Sequence, residues 1–356
     1  MKYLLLAPEL FESEGGITRI LRLYLKALCE NAGSRDDVQF ISLNDSMVDT
    51  SVAKRFSTDR LVAWKACRRS KLQFILSAFK RGLSSDKIVC GHIGQLPVAW
   101  AISLIRPRMS YYLVAHGIEV WRPFSMLEKA ALRRAKCILC VSDYTRGQVL
   151  EHCPMPKETT AVLYNALDPT LQTSPARPPD PDSYVILTVS RLSLSDSYKG
   201  IEHLIAAMPE VRKSIPGARL RVVGRGDGLN KLQGKAHKLD MPGAVEFAGF
   251  RSDAELAQDF ALCRVFALPS QGEGFGLVYL EAMAHGRPCI GARSGGVPEV
   301  ISPDSGLLVE YGDVPAIAAA ILQAFSRQWE MSAIIERVRH FSYSNFKKRF
   351  IALLNS

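Results

Sequence analysis

The sequence lacks any long apolar run. Its first apolar segment, residues 3–7, ends at Pro8 and Glu9 and is too short for the apolar region of a secretory signal. No other uninterrupted apolar stretch approaches the roughly 20 residues that span a bilayer. We therefore expect a cytoplasmic protein, and attachment to the inner face of a membrane stays open.

Cysteine is also sparse, with eight residues spread from Cys29 to Cys289 in a chain of 356. This spread does not resemble the dense disulfide framework of a small secreted domain. Cys137 and Cys140 form a CxxC within the apolar run 137–141, which predicts a buried strand, and no second CxxC completes a zinc set. Reduced, buried thiols are the expectation.

Two cofactor motifs are missing as well. The one Asp-x-Asp, at residues 180–182, lies in a proline-rich segment rather than at a strand end, so we expect no metal cofactor. In the run Gly224-Arg-Gly-Asp-Gly228 the next residue is Leu229, where the dinucleotide fingerprint requires glycine. This absence counts against a nicotinamide dehydrogenase.

Acidic residues are fewer than basic ones, 35 against 45, which gives a net charge of +10. Such a protein attracts anionic partners: nucleotides, anionic membranes or nucleic acid. The basic clusters at residues 65–71, 106–108, 129–136 and 347–349 are scattered. We interpret them as solvated helix faces. It stays open whether the basic clusters of the first half contact an anionic membrane or an anionic acceptor.

Short apolar runs alternate with segments of helical length along most of the chain, which predicts an α/β fold with parallel sheets. Pro169, Pro175, Pro178, Pro179 and Pro181 interrupt this pattern and mark a stiff joint. We therefore predict a Rossmann-like domain at 1–168, a linker at 169–183 and a second such domain at 184–340. A helix at 341–356 follows, and its return to the first domain is left open.

The most informative segment is residues 269–286, which follows a predicted strand and opens a helix. Gly272, Gly274 and Gly276 allow close approach of the backbone to a ligand, and the first helical amides attract an anion. Glu281 is expected about two turns into the helix, pointing the same way as Glu273. A carboxylate placed there suits a vicinal diol such as ribose.

Two cations are expected beside this segment. Arg191 follows the first strand of the second half, and Lys199 precedes the next helix. Both therefore come from the carboxyl end of the sheet, where open α/β sheets bind ligands. Two fixed cations beside a helix N-terminus predict a diphosphate site.

The sequence resembles the retaining glycosyltransferases of family 4, whose GT-B fold has two Rossmann-like parallel-sheet domains facing across a cleft. The most specific likeness is Glu273 and Glu281, seven residues apart, with Gly274-Phe275-Gly276 between them. The resemblance implies that Arg191 and Lys199 bind the donor diphosphate, Glu281 the ribose, and Glu273 the transferred sugar. It also implies that the amides of Phe275, Gly276 and Leu277 face phosphate and sugar.

In the first half, Gly15-Gly16 matches the family's loop near the donor phosphates and the acceptor. His116 matches a histidine that reaches the donor sugar across the cleft. Asn165 lies in a segment similar to the one that the family has just before its interdomain joint, and it could equally be a turn residue. Gly224 resembles the glycine turn after the second strand of the donor domain. The chain departs from the family in the longer spacing between Arg191 and Lys199, which leaves the exact donor contacts open.

The resemblance implies retaining transfer of a hexose from GDP-mannose or a UDP-hexose to a carbohydrate or lipid-linked carbohydrate. Cell-surface polysaccharide or glycolipid synthesis is the expected setting. The nucleotide diphosphate sugar is then a substrate, and no metal or other cofactor is expected. One alternative is a nucleotide-sugar epimerase of the same fold. The other is a non-enzymatic nucleotide binder. Nucleic acid is not an expected partner, because Glu273 and Glu281 would repel its backbone.

Overall fold

The computed structural model describes residues 1–171, 180 and 183–356, which form two compact units. One contains Met1–Asp168 together with Tyr343–Ser356, and the other contains Pro169–Ser342. Four prolines of the predicted joint and one residue of the Asp-x-Asp lie outside the described residues: Pro175, Pro178, Pro179, Pro181 and Asp182.

The first unit contains a seven-stranded parallel sheet in the order β3-β2-β1-β4-β5-β6-β7. The strands are β1 (Lys2–Ala7), β2 (Asp37–Ser42), β3 (Leu61–Ala66), β4 (Lys87–Cys90), β5 (Ser110–Ala115), β6 (Cys137–Cys140) and β7 (Thr160–Val162). The strand order reverses beside β1, because β2 and β4 flank it on opposite sides.

The helices of this unit follow the strands in alternation. They are α1 (Gly16–Asn31), α2 (Thr50–Arg55), α3 (Lys71–Gly82), α4 (Leu96–Ile105), α5 (Met126–Arg134) and α6 (Asp143–His152). Buried residues of α3 to α6, among them Phe74, Ile102, Leu132 and Val149, share one core cluster with alternate residues of the strands. These four helices therefore cover the same face of the sheet.

Strand β3 was not predicted, and its basic neighbours were misassigned to a helix. Its residues are half-buried or exposed throughout, because β3 lies at the edge of the sheet. Lys65 belongs to this strand, while Arg68 and Arg69 have left-handed φ angles of 51° and 63° in the turn that follows. Helix α3 begins only at Lys71, after the N-cap Ser70.

Cys137 and Cys140 are buried thiols of β6, as predicted. Cys140 belongs to the core cluster beneath α3 to α6, and Cys137 does not. Burial raises the pKa of the Cys137 thiol to about 11. Neither thiol is therefore a ready nucleophile.

The second unit contains a six-stranded parallel sheet in the order β10-β9-β8-β11-β12-β13. Its strands are β8 (Val185–Val189), β9 (Arg219–Val223), β10 (Val245–Gly249), β11 (Val265–Leu268), β12 (Cys289–Ala292) and β13 (Gly306–Val309). Its helices are α7 (Ile201–Ser214), α8 (Leu229–His237), α9 (Asp253–Leu262), α10 (Leu277–Ala284), α11 (Val297–Val300), α12 (Val314–Ser326) and α13 (Met331–Arg339).

The last helix, α14 (Tyr343–Asn355), belongs to the first unit and packs on α1. The rings of Phe346 and Phe350 meet Tyr24 edge to face, with centroids 4.9 and 4.7 Å away. Lys347 Nζ lies 2.9 Å from a carboxylate oxygen of Glu30. None of the described helices is both long enough and apolar enough to cross a membrane.

The strand order of the second unit reverses at β8, which lies between β9 and β11. The connections from β8 and β11 run to opposite neighbours, β9 and β12, and open α/β sheets bind ligands at the carboxyl edge beside such a reversal. Arg191 and Lys199 follow β8, and the glycine-rich segment follows β11. The topology alone thus brings the predicted site residues of this unit to one place.

Candidate functional site

The loops that follow β8 and β11 contact each other directly. The backbone N–H of Gln271 donates to the carbonyl oxygen of Tyr198 at 2.8 Å. Gly200 has a φ of 75°, and a β-carbon there would lie 2.2 Å from the carbonyl oxygen of Pro269. Only glycine permits this approach, and the approach places Lys199 against Glu273.

Lys199 and Glu273 form an ion pair between these two loops. The ammonium of Lys199 donates to Oε1 of Glu273, and the side chains are 18% and 13% exposed. Burial acts to lower the pKa of Lys199, but the Glu273 carboxylate outweighs it, so the pKa of Lys199 is raised. This edge of the sheet therefore contains a largely buried cation that stays charged at neutral pH.

Arg191 is held by a second carboxylate, that of Asp196. Its Nε lies 2.6 Å from Oδ2, and a terminal nitrogen lies 3.1 Å from Oδ1. The Asp196 side chain is 5% exposed, whereas that of Arg191 is 71% exposed. These two hydrogen bonds use two of the five guanidinium N–H donors, so the exposed side of Arg191 can still bind an anion. Sequence reasoning missed Asp196, whose only signal was its place between the two predicted cations.

The long spacing between Arg191 and Lys199 is filled by 3-10 turns at Leu194–Lys199. The Leu194 N–H donates to a carboxylate oxygen of Asp227 at 2.8 Å. A β-carbon at Gly224, where φ is 144°, would lie 1.8 Å from the Ser190 carbonyl oxygen. The glycine turn after β9 therefore braces the loop that presents Arg191. A direct contact between Gly224 and a donor stays a prediction.

Helix α10 begins at Leu277, directly after Gly276 with its φ of 92°. No side chain of the described residues caps this helix, so its first amides can receive an anion. Phe275 is buried and meets the ring of Phe341 edge to face at 5.3 Å, which anchors the loop. Gly274, partly buried, lies between this anchor and Glu273.

The predicted position of Glu281 within its helix was wrong. The sequence placed it about two turns in, but α10 begins at Leu277, so Glu281 lies one turn in. The reason is the left-handed conformation of Gly276, which delays the helix until after the glycine-rich segment. The Glu281 side chain is half-buried.

In the first unit, His116 lies directly after the carboxyl end of β5 and is 8% exposed. Its Nε2 is 2.9 Å from the carbonyl oxygen of Gly91, and its backbone N–H donates to Glu119 at 2.6 Å. Because a carbonyl can only accept, Nε2 bears the proton and Nδ1 keeps its lone pair. Burial lowers the pKa of His116, so the ring is neutral at pH 7.

Gly15 and Gly16 lie at the start of α1 and are exposed. A β-carbon on Gly15 would contact nothing within 4 Å, so packing does not require glycine there. The preceding loop is braced by buried Asp45, which accepts from the amides of Leu10, Phe11 and Glu12 at 2.9 to 3.1 Å. Sequence reasoning missed Asp45, because nothing in its local pattern indicates a partner 35 positions away.

Asn165 follows β7 and is 7% exposed. Its Oδ1 has no hydrogen-bond partner among the described residues. A buried amide oxygen without a partner is costly, which is consistent with a functional position.

Two side chains near the basic clusters of the first half are partly buried. Trp121 packs against the core, and its indole N–H donates to Thr145 at 3.2 Å. Of the cluster at residues 129–136, Lys129 is half-buried in α5. Among the described residues, no group of three or more His, Cys, Asp or Glu side chains is arranged to hold a metal ion.

Two family models match this chain. The model described as Glycosyltransferase Family 4 matches residues 15–171. The model described as Glycosyl transferases group 1 matches residues 172–341.

Among similar proteins, the GDP-mannose-dependent alpha-(1-6)-phosphatidylinositol monomannoside mannosyltransferase of Mycolicibacterium smegmatis is 33% identical over 268 residues. That match covers 66% of this chain and 65% of that protein. The D-inositol 3-phosphate glycosyltransferase of Segniliparus rotundus is 37% identical over 136 residues, which cover 37% of this chain and 30% of that protein. The chain thus spans less than two thirds of the length of these relatives.

The crystal structure of Anabaena HepE in complex with UDP aligns with a TM-score of 0.80 at 22% identity, over 100% of both chains. This likeness shows that the chain has the GT-B fold, with two Rossmann-like α/β units. Because the two family models together match residues 15–341, the chain belongs to the group 1 glycosyltransferases, in glycosyltransferase family 4.

Proposed function

We propose that this protein is a retaining glycosyltransferase that moves a hexose from a nucleotide diphosphate sugar to a hydroxyl of a carbohydrate or lipid-linked carbohydrate. The observation that supports it most is the contact between Lys199 and Glu273 at the switch point of the second unit. That contact joins a group suited to phosphate and a group suited to sugar hydroxyls.

Arg191, Lys199 and the first turn of α10 would bind the diphosphate. Arg191 offers its unused donors to solvent, Lys199 supplies a buried charge, and the helix offers amides without a side-chain cap. Fixed donors of this kind stabilise charge as it develops on a departing phosphate without having to reorganise. A bound diphosphate would share the Lys199 ammonium with Glu273.

The two glutamates would each bind a different part of the donor. Glu273, already beside Lys199, would accept hydrogen bonds from hydroxyls of the transferred sugar. Glu281, one turn into α10, would accept them from the ribose diol. Gly274, Phe275, Gly276 and Leu277 would supply backbone contacts.

Retention would proceed on one face of the sugar. The bond between C1 and the phosphate oxygen breaks, the bond between C1 and the acceptor oxygen forms on that same face, and the acceptor proton passes to the departing phosphate. This route is favoured because the Glu273 carboxylate is already engaged by Lys199 and is therefore a weak nucleophile. Arg191 and Lys199 would offset the diphosphate charge, so transfer without an added metal is part of the proposal.

From the first unit, His116 would use its unprotonated Nδ1 to accept a hydrogen bond from a sugar hydroxyl. Its neutral state and its fixed ring suit that role. Gly15-Gly16 would approach phosphate or acceptor through its backbone, which is exposed at the start of α1. Asn165 would gain the partner that its Oδ1 lacks among the described residues.

GDP-mannose or a UDP-hexose is the proposed donor. One relative is named a GDP-mannose-dependent enzyme, and the aligned HepE structure contains UDP, so both bases occur among similar proteins. The same relative is named for a phosphatidylinositol monomannoside acceptor, which supports glycolipid synthesis. Cell-surface polysaccharide synthesis and a position at the inner face of a membrane are part of the proposal.

A thermal-shift screen with UDP, GDP, ADP and their hexose conjugates identifies the donor. The stabilising conjugate is then incubated with the protein and candidate acceptors, and chromatography measures the nucleoside diphosphate released. We expect release that depends on an acceptor. Stabilisation by a conjugate that is only isomerised would support the epimerase instead, and binding without any reaction would support the non-enzymatic alternative.

A further inference from the structure

Helix α3 has an apolar arc that is wider than the face it buries against the sheet. Phe74, Ala78 and Gly82 form the face that is buried against the sheet. Leu72, Ile75, Leu76 and Leu83 are exposed, Leu72 by 68% and Leu76 by 61%.

The exposed leucines form a continuous stripe. Positions 72, 76 and 83 have the spacing i, i+4 and i+11, which at 100° per residue falls on one side of a helix. Half-buried Phe79 lies on the same line. The stripe is therefore the exposed part of one broad apolar arc, which runs on from the buried face through Phe79, a ring that packs against the core.

The stripe continues onto the end of α4. Leu104 and Ile105 are 53% and 61% exposed. The guanidinium of Arg106 donates to the carbonyl oxygen of Leu83, which fixes the end of α4 beside the end of α3. A monomeric protein rarely leaves so many neighbouring aliphatic side chains exposed without a use for them.

The surrounding charge has one sign. Residues 60–118 contain ten Lys and Arg but a single acidic residue, Asp86, whereas the whole chain has 45 against 35. Lys65, Arg69, Lys71, Lys80 and Arg108 are exposed. We name the α3 surface as these five cations together with the exposed apolar residues Leu72, Ile75, Leu76, Leu83, Leu104 and Ile105.

We propose that the α3 surface docks on an anionic lipid bilayer, with its aliphatic side chains in the interface and its cations against lipid phosphates. Exposed leucines within a cationic rim are complementary to an anionic membrane, since the acyl boundary accepts the leucines and the phosphates accept the cations. A second copy of this chain fits less well, because two such surfaces would oppose their positive charges. The inference goes beyond the proposed reaction, since none of these side chains belongs to the proposed donor site.

The test is sedimentation with vesicles of phosphatidylglycerol and phosphatidylcholine, compared with vesicles of phosphatidylcholine alone, at low salt. We expect the wild-type protein to bind only the anionic vesicles. Leu72→Gln/Leu76→Gln should weaken binding by about tenfold or more through lost apolar burial. Lys71→Gln/Lys80→Gln should weaken it about 25-fold, because each cation near anionic lipid contributes about fivefold.

Matched controls come from the second unit. Leu262→Gln changes a leucine of the same 68% exposure, and Lys238→Gln removes an exposed cation. Both should bind anionic vesicles as the wild type does. All variants should keep the wild-type unfolding temperature, because the altered side chains are exposed.

The proposal would be overturned if the wild-type protein failed to sediment with anionic vesicles. It would also be overturned if the Leu72→Gln/Leu76→Gln variant bound these vesicles as strongly as the Leu262→Gln control. Sedimentation equilibrium measures whether the protein dimerises. If Leu72→Gln/Leu76→Gln abolished a dimer and left vesicle binding unchanged, the α3 surface would be assigned to contact with a second copy of the chain. Transfer to a soluble acceptor should be unaffected by these variants. A failure of membrane docking is therefore distinguishable from a failure of the proposed reaction.

Discussion

The Lys199 ammonium is paired with the Glu273 carboxylate, although 74 positions separate the two residues in the chain. The pair exists because β8 and β11 are neighbours in the sheet and because Gly200 admits the carbonyl of Pro269. In the protein without a ligand, each side chain holds the other in place. A donor that binds here gains a cation and a carboxylate that are already positioned, which lowers the cost of ordering them.

Arg191→Ala and Lys199→Ala are each expected to lower kcat by about 100-fold or more, because each removes a donor that stabilises the departing phosphate. Kinetics on the folded variants measures this. Lys231→Ala is the control, since Lys231 pairs with Glu202 at 2.7 Å in the same unit and has no proposed role. Near-normal transfer by both variants would remove the diphosphate assignment.

Glu281→Ala is expected to weaken binding of the free nucleoside diphosphate, because it removes the proposed ribose contact. Glu273→Ala should slow transfer yet leave that affinity equal or higher, because Lys199 no longer has a competing carboxylate. Titration calorimetry with the nucleoside diphosphate compares the two. Equal losses of affinity in both variants would contradict the division of roles.

Gly200→Ala is expected to destabilise the fold by about 1–3 kcal/mol, because the new β-carbon is strained at a positive φ and meets a backbone oxygen. It should also reduce transfer by separating Lys199 from Glu273. Gly217→Ala is the control, as a β-carbon there meets nothing within 4 Å. Chemical denaturation measures the free energy of unfolding of both variants. If Gly200→Ala were as stable as the control, the contact between the two loops would not be required for stability.

Burial lowers the pKa of His116 below its ordinary value of 6.5. The unfolded chain therefore takes up a proton first as the pH falls, so the stabilising contribution of neutral His116 is complete above pH 6.5 and declines below it. We expect the free energy of unfolding to fall less steeply below pH 6.5 in His116→Asn than in the wild type. Denaturation curves at several pH values test this, and parallel slopes would refute it.

Transfer is expected to survive EDTA, because Arg191, Lys199 and the start of α10 supply the positive charge that offsets the diphosphate. The rate is measured with and without the chelator, then again after magnesium or manganese is added. If EDTA abolished transfer and either metal restored it, the proposal that these groups alone offset the diphosphate charge would be contradicted.

The sheets and the meeting of Lys199 with the glycine-rich segment could be predicted, because buried parallel strands are short apolar runs and their carboxyl ends share an edge. Strand β3 could not be predicted, since an edge strand with exposed Trp64 and Lys65 has no continuous apolar pattern. The ion pair between Arg191 and Asp196 depends on the path of a 3-10 turn, which local composition does not specify.

Two other features depend on backbone geometry that the sequence left ambiguous. Glycine at 276 permits either a helical or a left-handed conformation, and the choice moves Glu281 by a turn relative to the start of its helix. The exposed stripe on α3 was hidden because amphipathic spacing predicts one apolar face. Which of its apolar side chains face the core is settled only when the helix packs on the sheet.

Proton NMR of the glycoside formed from a donor of known anomeric configuration tests the central claim most directly. The proposal predicts one nucleoside diphosphate released for each glycoside formed, with the anomeric configuration of the donor kept in the product. Lys199→Ala should give the same product at a rate lower by about 100-fold or more. A product of inverted configuration, or a nucleotide sugar converted without release of its nucleotide, would contradict the account.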